Sequence, residues 1–307
     1  MADIVIIGGI NIDIEGYPYK DLVEQDSNPG RIKISYGGVG RNIAENAARI
    51  GEKVAMLSVI GADELGRGAR SHLAGLGVDV SMVREIPGSG SAIYLSILNP
   101  NRDMHLGLCD MEIIQELTAA DIRKAGTVFE SAAAVALDGN LEEEMLRDAT
   151  EILSDKMLFY DPVSANKAHR AKACIGRFHS IKPNLIEAEV LSGMKIETDE
   201  ELRNAARYFL DKGVKNVYIT LNCDGVYFKN KEKEGFIRPP KSIKIESATG
   251  AGDAFSAAVL YGMAHGLEID EIAALGMAAS QIAMESEKAV NEKINIEDIK
   301  RRVTQNV

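Results

Sequence analysis

Short runs of apolar, often β-branched residues alternate along the chain with longer stretches in which apolar residues recur at helical spacing. Strands are predicted at residues 4–7, 54–58, 133–137, 157–160 and 217–221, and helices at residues 42–50, 141–153, 200–212 and 254–265. Strands that are apolar throughout are buried on both faces, and parallel neighbours need a crossover helix between them. The pattern therefore predicts an α/β protein in which helices cover a mainly parallel sheet.

Two segments do not follow this alternation, residues 13–36 and residues 91–108. Both alternate apolar and polar residues with a period of two, and the second has no room for a helix. We expect antiparallel strands outside the parallel sheet, which together form a four-stranded accessory sheet that closes over a ligand and excludes water. The alternative is a pair of surface hairpins without a function. Because no repeat, low-complexity tract or linker divides the chain, residues 1–307 are predicted to form a single domain.

The composition narrows the classes of partner. The chain has 307 residues, of which 46% are apolar and 26% charged, so it can bury a sizeable core. A formal net charge of −11 argues against a nucleic-acid polymer or an anionic membrane as the main partner. No apolar stretch approaches the ~20 residues that span a bilayer, and the N-terminal apolar run is too short for a signal peptide. We therefore predict a cytoplasmic protein.

The motif T-G-A-G-D at residues 249–253 opens one of the predicted helices. Gly250, Ala251 and Gly252 are small, so their N–H groups can approach an anion at the positive end of the helix dipole. Asp253 is placed to accept the proton of an attacking hydroxyl. Together these groups suit phosphoryl transfer, which needs positioning, charge neutralisation and an oriented nucleophile. The alternative is an ordinary helix start in which Asp253 caps its own N–H groups.

A second glycine-rich motif, G-G-V-G-R-N, contains Gly37, Gly38, Arg41 and Asn42. The glycines allow a ligand to approach the backbone, while Arg41 and Asn42 offer directional hydrogen bonds. Ordinary tight packing is the alternative. No G-x-G-x-x-G follows the first strand, which argues against an NAD-dependent oxidoreductase. The absence of G-x-x-x-x-G-K-[ST], H-R-D and D-F-G excludes a P-loop enzyme and the protein-kinase layout.

Two further pairs of polar residues are candidates for a site. Asn11 and Asp13 follow the first predicted strand, so both side chains can face a polyol at the carboxyl edge of the sheet, unless they merely form a turn. Asn184 and Glu187 lie in K-P-N-L-I-E and have the spacing of a helix capping box. The functional alternative for this pair is an amide and a carboxylate near magnesium-bound water and phosphate.

In this order, the motifs G-G-x-N-x-D, G-G-V-G-R-N, K-P-N-x-x-E and T-G-A-G-D resemble those of the ribokinase-like (PfkB) family of sugar and nucleoside kinases. The resemblance extends from residue 4 to about residue 300. It implies a doubly wound α/β domain with a small β-sheet lid, and transfer of the γ-phosphoryl group of ATP in the presence of Mg²⁺. It also implies that Asp253 is the general base and that residues 250–252 form the anion hole.

The same resemblance implies binding roles for the other motif residues. A sugar-like moiety would be held by Asn11, Asp13, Gly37, Gly38, Arg41 and Asn42. Asn184 and Glu187 would organise phosphate and Mg²⁺, the metal through water.

The stretch T-L-N-C-D-G at residues 220–225 resembles the nucleotide loop of the family, T-x-G-x-x-G. Thr220 and Gly225 are retained, but Asn222 replaces the first glycine, which puts the local contact with ATP in doubt. Ser247 stands where many relatives have an aspartate associated with a monovalent cation. Activation by K⁺ therefore stays open.

Within the family, further residues resemble the pseudouridine kinases. They lie at residues 27–30, 41–46, 110–111, 138–140, 161–167 and 289–291. This implies phosphorylation of the 5′-hydroxyl of pseudouridine, whose C-linked uracil has an extra ring N–H that a polar lid residue such as Asn28 could distinguish. Another nucleoside or a free sugar such as ribose or fructose is the alternative within enzymes. A non-catalytic sensor that kept the fold is the alternative from another class.

Lids in this family often pair across a dimer. The apolar alternation of Ile93, Leu95 and Ile97 would allow such pairing. The expected partners are therefore a small-molecule nucleoside or sugar and, as a hypothesis, a second copy of the chain.

Overall fold

A large sheet forms the centre of the computed structural model, which describes residues 2–239 and 245–305. Within these ranges the strands are β1 Ile4–Ile7, β2 Asn11–Pro18, β3 Gly30–Gly37, β4 Val54–Gly61, β5 Val83–Ile86, β6 Ala92–Leu98, β7 Met104–Asp110, β8 Ala134–Asp138, β9 Met157–Asp161, β10 Ser180–Ile181, β11 Asn216–Thr220, β12 Val226–Lys229 and β13 Glu234–Ile237. The helices are α1 Val39–Arg49, α2 Glu64–Gly75, α3 Ala119–Lys124, α4 Gly126–Glu130, α5 Glu143–Ile152, α6 Ala165–Ala168, α7 Leu185–Ser192, α8 Asp199–Lys212, α9 Ala251–Ala264, α10 Ile269–Met284 and α11 Ile296–Gln305. None of these helices has both the length and the hydropathy to cross a membrane.

The large sheet has the strand order β13-β12-β11-β10-β9-β8-β1-β4-β5. Its described strand pairs are parallel except for β11 with β12 and β12 with β13, at one edge. The strands and helices predicted from the hydrophobic pattern are all present, with ends that differ by a few residues. The predictions did not include β5, β10, β12 and β13 of this sheet. Of these, β10 has only two residues and therefore leaves no periodic signal.

Two apolar layers, one on each face of the large sheet, form the core. The side chains of β1 alternate between the layers, with Ile4 and Ile6 in one and Val5 and Ile7 in the other. Helices α1, α9 and α10 pack on the first layer, and α5 and α8 pack on the second. Because both faces are covered by helices, β1 is apolar throughout. The predicted doubly wound, mainly parallel sheet is confirmed.

A second sheet, called the lid from here on, has the strand order β3-β2-β6-β7. Its strands come from the two segments that depart from the alternation, so the predicted four-stranded accessory sheet is confirmed. The predicted antiparallel pairing is found for β2 with β3 and for β6 with β7, whereas β2 and β6 pair in parallel, with Asp13 beside Tyr94. The reason is topological: β2 follows β1 and β6 follows β5, and both leave the large sheet in the same direction.

The two faces of the lid differ in polarity, because side chains alternate along each strand. One face carries the polar side chains Asn11, Asp13, Lys33 and Ser35. The other carries an apolar row that crosses all four strands, Ile34, Ile14, Leu95 and Leu108. At the ends of this row Ile34 is 58% and Leu108 65% exposed, so the row reaches beyond the part of the lid that packs on the core.

A buried carboxylate, that of Asp138 at the end of β8, joins the start of the lid to the start of α1. Its Oδ2 accepts hydrogen bonds from the N–H of Gly9 at 3.0 Å, the N–H of Gly40 at 2.8 Å and Nδ2 of Asn140 at 3.0 Å. Its Oδ1 accepts from the N–H of Asn140 at 2.9 Å. One side chain therefore fixes the two glycine-rich segments against each other. Burial raises the pKa of Asp138, and these four donors oppose that effect.

The glycines of these segments are needed for close packing. A Cβ on Gly8 would lie 2.5 Å from Oδ2 of Asp138, and a Cβ on Gly9 would lie 2.9 Å from Nδ2 of Asn140. Gly38 has φ +99°, which only glycine adopts readily, and its backbone crosses that of Gly9. These glycines are tightly packed, and ligand approach at Gly37 and Gly38 stays a prediction.

Replacing Asp138 with alanine should destabilise the protein. The N–H groups of Gly9 and Gly40 would lose their buried acceptor, which costs about 3 kcal/mol for the two together. Urea denaturation followed by circular dichroism measures this loss. The exposed Asp155→Ala is the control and should change the free energy of unfolding by less than about 0.5 kcal/mol. Equal stabilities of the two variants would contradict the proposed role of Asp138.

Candidate active site

The N-terminus of α9 and the first turn of α1 meet at the carboxyl edge of the large sheet. There, Nδ2 of Asn42 donates a hydrogen bond of 2.7 Å to Oδ2 of Asp253. Both residues are buried, at 6% and 9% exposure. The alternative in which Asp253 merely caps its own helix does not describe this geometry, because the N-cap residue is Gly250 and the carboxylate reaches across to α1.

The backbone at the start of α9 is arranged as an anion cradle. Gly250 has φ +82°, and a Cβ there would lie 1.7 Å from the carbonyl oxygen of Ala289. Within the described ranges, the N–H groups of Gly252 and Asp253 donate to no backbone carbonyl. They are therefore available to a negatively charged group at the positive end of the helix.

The environment of Asp253 favours proton uptake near neutral pH. Burial raises its pKa to about 7, and the nearby carboxylate of Asp161 adds to the effect. The hydrogen bond from Asn42 and the charge of Lys182 oppose the increase. A carboxylate of this kind is suited to accept a proton from a hydroxyl, since the pKa of a general base is best placed near the working pH.

Beside Asp253 lies a buried ion pair that the sequence interpretation missed. Nζ of Lys182 is 3.0 Å from Oδ2 of Asp161, and the two side chains are 8% and 4% exposed. Oγ of Ser256, one turn along α9 from Asp253, donates to the same Oδ2 at 2.7 Å. Lys182 was visible only as the first letter of K-P-N, and no spacing could pair it with an aspartate on another strand.

Arg41 is buried and already engaged. It forms an ion pair with Glu45, and it donates to the carbonyl oxygen of Tyr36 and, at 3.0 Å, to Oδ1 of Asn42. Burial lowers the pKa of Arg41 to about 10, against the opposing charges of Asp13 and Asp253. Arg41 therefore orients the amide of Asn42, whose Nδ2 faces the carboxylate, and ties α1 to the end of β3.

Asn11 and Asp13 lie side by side at the base of the lid, on its polar face. Nδ2 of Asn11 donates to Oδ1 of Asp13 at 2.7 Å, and burial raises the pKa of Asp13. A Cβ on Gly37 would lie 2.1 Å from Oδ2 of Asp13, so this glycine leaves space for the carboxylate. The alternative of a turn is not what the chain adopts here, since both residues belong to β2.

Asn184 and Glu187 form the capping box of α7. The N–H of Glu187 donates to Oδ1 of Asn184 at 2.9 Å, and Oε2 of Glu187 accepts from the N–H of Asn184 at 2.8 Å. Glu187 is 4% exposed, and burial raises its pKa to about 6. In the part of the chain that the structure describes, no group of three or more acidic, histidine or cysteine residues is gathered for a metal ion. A metal here would depend on water and on ligands brought by a substrate.

The segment that resembles a nucleotide loop lies next to this capping box, because Thr220 and Asn184 form an isolated parallel β-bridge. Asn222 has φ +53°, a left-handed conformation that asparagine tolerates better than most residues. Gly225 has φ +101°, and a Cβ there would lie 2.0 Å from the carbonyl oxygen of Ile237. The backbone at residue 222 therefore has a conformation that glycine adopts readily, although the residue is asparagine.

Asn28 is not brought together with these groups by any hydrogen bond or ion pair among the described residues. Its amide accepts from the N–H of Val23 at 2.8 Å and donates to the carbonyl oxygens of Val23 and Asp26 at 2.9 and 3.0 Å. It lies in the exposed loop between β2 and β3. Its role in recognition stays a prediction.

Comparisons with known proteins place the chain in a family. The chain matches the model of the pfkB family carbohydrate kinases over residues 1–295. It is 33% identical over 296 residues to the pseudouridine kinase of Escherichia coli (strain K12), which covers 96% of this chain and 95% of that protein. It is 27% identical over 300 residues to the guanosine-inosine kinase of Exiguobacterium acetylicum, with 96% and 99% covered.

The fold is also that of solved ribokinases. The structure of Arabidopsis thaliana ribokinase complexed with ribose and ATP superposes with a TM-score of 0.85 over 98% of each chain, at 19% identity. A likeness at that identity concerns the fold alone, whereas the family match covers nearly the whole sequence. The chain therefore belongs to the pfkB family of carbohydrate kinases, phosphotransferases that act on a hydroxyl group.

Proposed function

We propose that this chain transfers the γ-phosphoryl group of ATP to the 5′-hydroxyl of pseudouridine, giving pseudouridine 5′-phosphate. The observation that carries the chemistry is the buried carboxylate of Asp253, held by Asn42 at the N-terminus of α9. The choice of acceptor is supported by the 33% identity to a pseudouridine kinase over nearly the full length of both chains.

The subgroup residues of the sequence support the same acceptor. Two of these segments, residues 138–140 and 161–167, end adjacent strands, and Nζ of Lys167 donates to Oδ1 of Asn140 at 2.7 Å. Asn140 in turn donates to the carboxylate of Asp138. The segments thus form one connected polar network beside the proposed acceptor site.

In the proposed reaction, Asp253 takes the proton from the attacking hydroxyl as the oxygen approaches the γ-phosphorus. Asn42 fixes the orientation of the carboxylate. The N–H groups of Gly252 and Asp253 would face the negative charge of the phosphoryl oxygens and need no reorganisation during transfer. The polar face of the lid, with Asn11 and Asp13, holds the ribose and excludes water.

The residues near the capping box fit a magnesium ion held mainly by phosphate and water. Mg²⁺ keeps several waters and needs only one or two protein carboxylates. Glu187 is a buried carboxylate in which Oε2 alone accepts the capping hydrogen bond, and Asn184 supplies a neighbouring amide. They would hold the ion through water rather than as direct ligands. When bound, Mg²⁺ neutralises phosphate charge.

ATP itself would bind along Thr220, Asn222 and Gly225. The bridge between Thr220 and Asn184 brings this loop next to the proposed phosphate site. A different nucleoside or a free sugar is the second candidate acceptor, since the 27% identity to a guanosine-inosine kinase extends over 96% of this chain. Activation by K⁺ stays open and is tested by varying the cation. Ser247 stands where many relatives have an aspartate, and its Oγ accepts a hydrogen bond from the N–H of Thr249.

The acceptor is tested by measuring ADP release with ATP and Mg²⁺ against pseudouridine, uridine, cytidine, inosine, adenosine, ribose and fructose, in K⁺ and in Na⁺. We expect kcat/KM for pseudouridine to exceed that of every other acceptor by at least about 100-fold, the discrimination available from a built polar contact. A higher value for another acceptor would contradict the pseudouridine assignment and retain the kinase mechanism. Binding without turnover on any acceptor would favour a sensor.

Replacing Asp253 with asparagine should lower kcat about 10²- to 10⁴-fold, because the hydroxyl loses its base while the shape of the side chain is kept. Isothermal titration calorimetry should give nearly unchanged acceptor binding. Asp298→Asn is the matched control, since Asp298 is also the third residue of its helix and should leave turnover intact. Unchanged turnover in Asp253→Asn would rule out this role.

We further propose a homodimer joined through the lids. The apolar face of the lid is exposed at both edges of the sheet. Ile32, near Ile34, is 70% exposed, and Leu106, near Leu108, is 57% exposed. A contiguous apolar surface of this kind marks an interface more often than free surface. A second lid offers a matching apolar row of its own.

Light scattering after size-exclusion chromatography should give twice the chain mass for the wild-type protein. Ile34→Asp combined with Leu108→Asp should give the mass of one chain, because two buried carboxylates would oppose association. Val23→Asp is the control, since Val23 is also 58% exposed but lies in the loop between β2 and β3. A single-chain mass for the wild-type protein at micromolar concentration would contradict the dimer.

A further inference from the structure

The ion pair of Lys182 and Asp161 lies beneath the N-terminus of α9, where neither the motifs nor the proposed reaction give it a role. Both side chains are almost fully buried, and Nζ and Oδ2 are 3.0 Å apart. A buried ion pair is weak grounds for a stabilising role, because desolvation of two charges can exceed their attraction. A pair retained at this position therefore calls for a reason connected with the site.

Each member of the pair contacts α9 on a different side of Asp253. A Cβ on Gly252 would lie 3.1 Å from Nζ of Lys182, so the ammonium reaches the cradle through the space that this glycine leaves. On the following turn, Oγ of Ser256 donates to Oδ2 of Asp161 at 2.7 Å. The pair thus brings one positive and one negative charge to fixed positions around the carboxylate of Asp253.

Other charged groups among the described residues also act on Asp253. Asp138 at the end of β8 lies on one side and Arg41 of α1 on another. Glu187 of α7 interacts with Lys182 and Asp161. Arg41 is already neutralised by Glu45. Lys182 and Asp161 are charges of opposite sign that act on Asp253 in opposite directions.

We propose that Lys182 and Asp161 are positioning residues that set the ionisation of Asp253: Lys182 favours its carboxylate form, and Asp161 opposes this. The proposal rests on the proposed function of Asp253 as the general base. Burial is the largest cause of the raised pKa of Asp253; Asp161 raises it further and Lys182 lowers it, as the geometry requires. The pair thereby keeps the base able to exchange a proton near neutral pH.

The two halves of the pair should shift the pH profile in opposite directions. In Lys182→Met the acid limb of kcat/KM should move up by at least about one pH unit, because a buried positive charge is lost. In Asp161→Asn it should move down by a similar amount, since a negative charge is lost and Lys182 is left unopposed. In the double variant the limb should lie between those of the two single variants. A structural defect would move both single variants the same way or leave both limbs in place, and either result would overturn the proposal.

A second readout does not depend on turnover. With ¹³Cγ-labelled aspartate, the signal that disappears in Asp253→Asn identifies Asp253, and its titration should show the same opposite shifts. Lys233→Met and Asp270→Asn are the matched controls, since this ion pair is 2.8 Å apart and joins the turn between β12 and β13 to the start of α10 at the surface. If Lys182→Met does not fold, Asp161→Asn alone still tests the inference. An acid limb of kcat/KM or an Asp253 titration that stays in place or moves to higher pH in that variant would overturn it. A wild-type protein that phosphorylates no acceptor would refute the proposed function separately, while the aspartate titration decides this one.

Discussion

The carboxylate of Asp253 is held out of water at the meeting point of α1 and α9, and most of the surrounding structure follows from that constraint. A buried carboxylate without partners would cost several kcal/mol, or it would stay protonated and be useless as a base at neutral pH. The amide of Asn42 supplies one hydrogen bond, and Arg41 fixes that amide from behind. The helix dipole of α9 adds positive potential at the same place. The site can therefore be dry and still hold a carboxylate that ionises.

Two carboxylates at the ends of neighbouring strands serve different parts of this arrangement. Asp138 and Asp161 are paired in register on β8 and β9. Asp138 accepts mainly from backbone N–H groups and holds the lid base and α1 together. Asp161 forms an ion pair with Lys182 and accepts a hydrogen bond from Ser256 of α9. The lid base with α1 and the start of α9 are thus held by paired residues at one edge of the sheet.

The sequence predicts the fold well because the signals involved are local. Apolar runs such as Ile4–Ile7 mark the buried strands, and period-two alternation marks the lid. The capping box of Asn184 and Glu187 could also be predicted, because it depends on residues three apart. Strand direction within the lid could not, since it depends on where β2 and β6 leave the large sheet. The pairing of Lys182 with Asp161 was missed for the same reason: it joins residues of different strands.

The motif glycines show that one motif can serve close packing as well as a predicted ligand contact. Ligand approach was predicted for Gly37 and Gly38; in the structure, the missing side chains of Gly8, Gly9 and Gly38 leave space for Asp138, Asn140 and the backbone of Gly9. The motif is needed for the site because it allows two chain segments to touch. Ligand contact, where it occurs, would come from the side chains that this packing positions.

Asn222 departs from the family pattern, and its backbone conformation is one that glycine would also adopt. The position has φ +53°, where most residues with a Cβ are strained and glycine is not. Asparagine is among the residues best tolerated there, so the turn before Gly225 forms without the usual glycine. The doubt about the nucleotide loop that the sequence raised therefore concerns the added amide and not the backbone. An amide at this position adds a donor and an acceptor two residues after Thr220, so the loop can make contacts that a glycine could not.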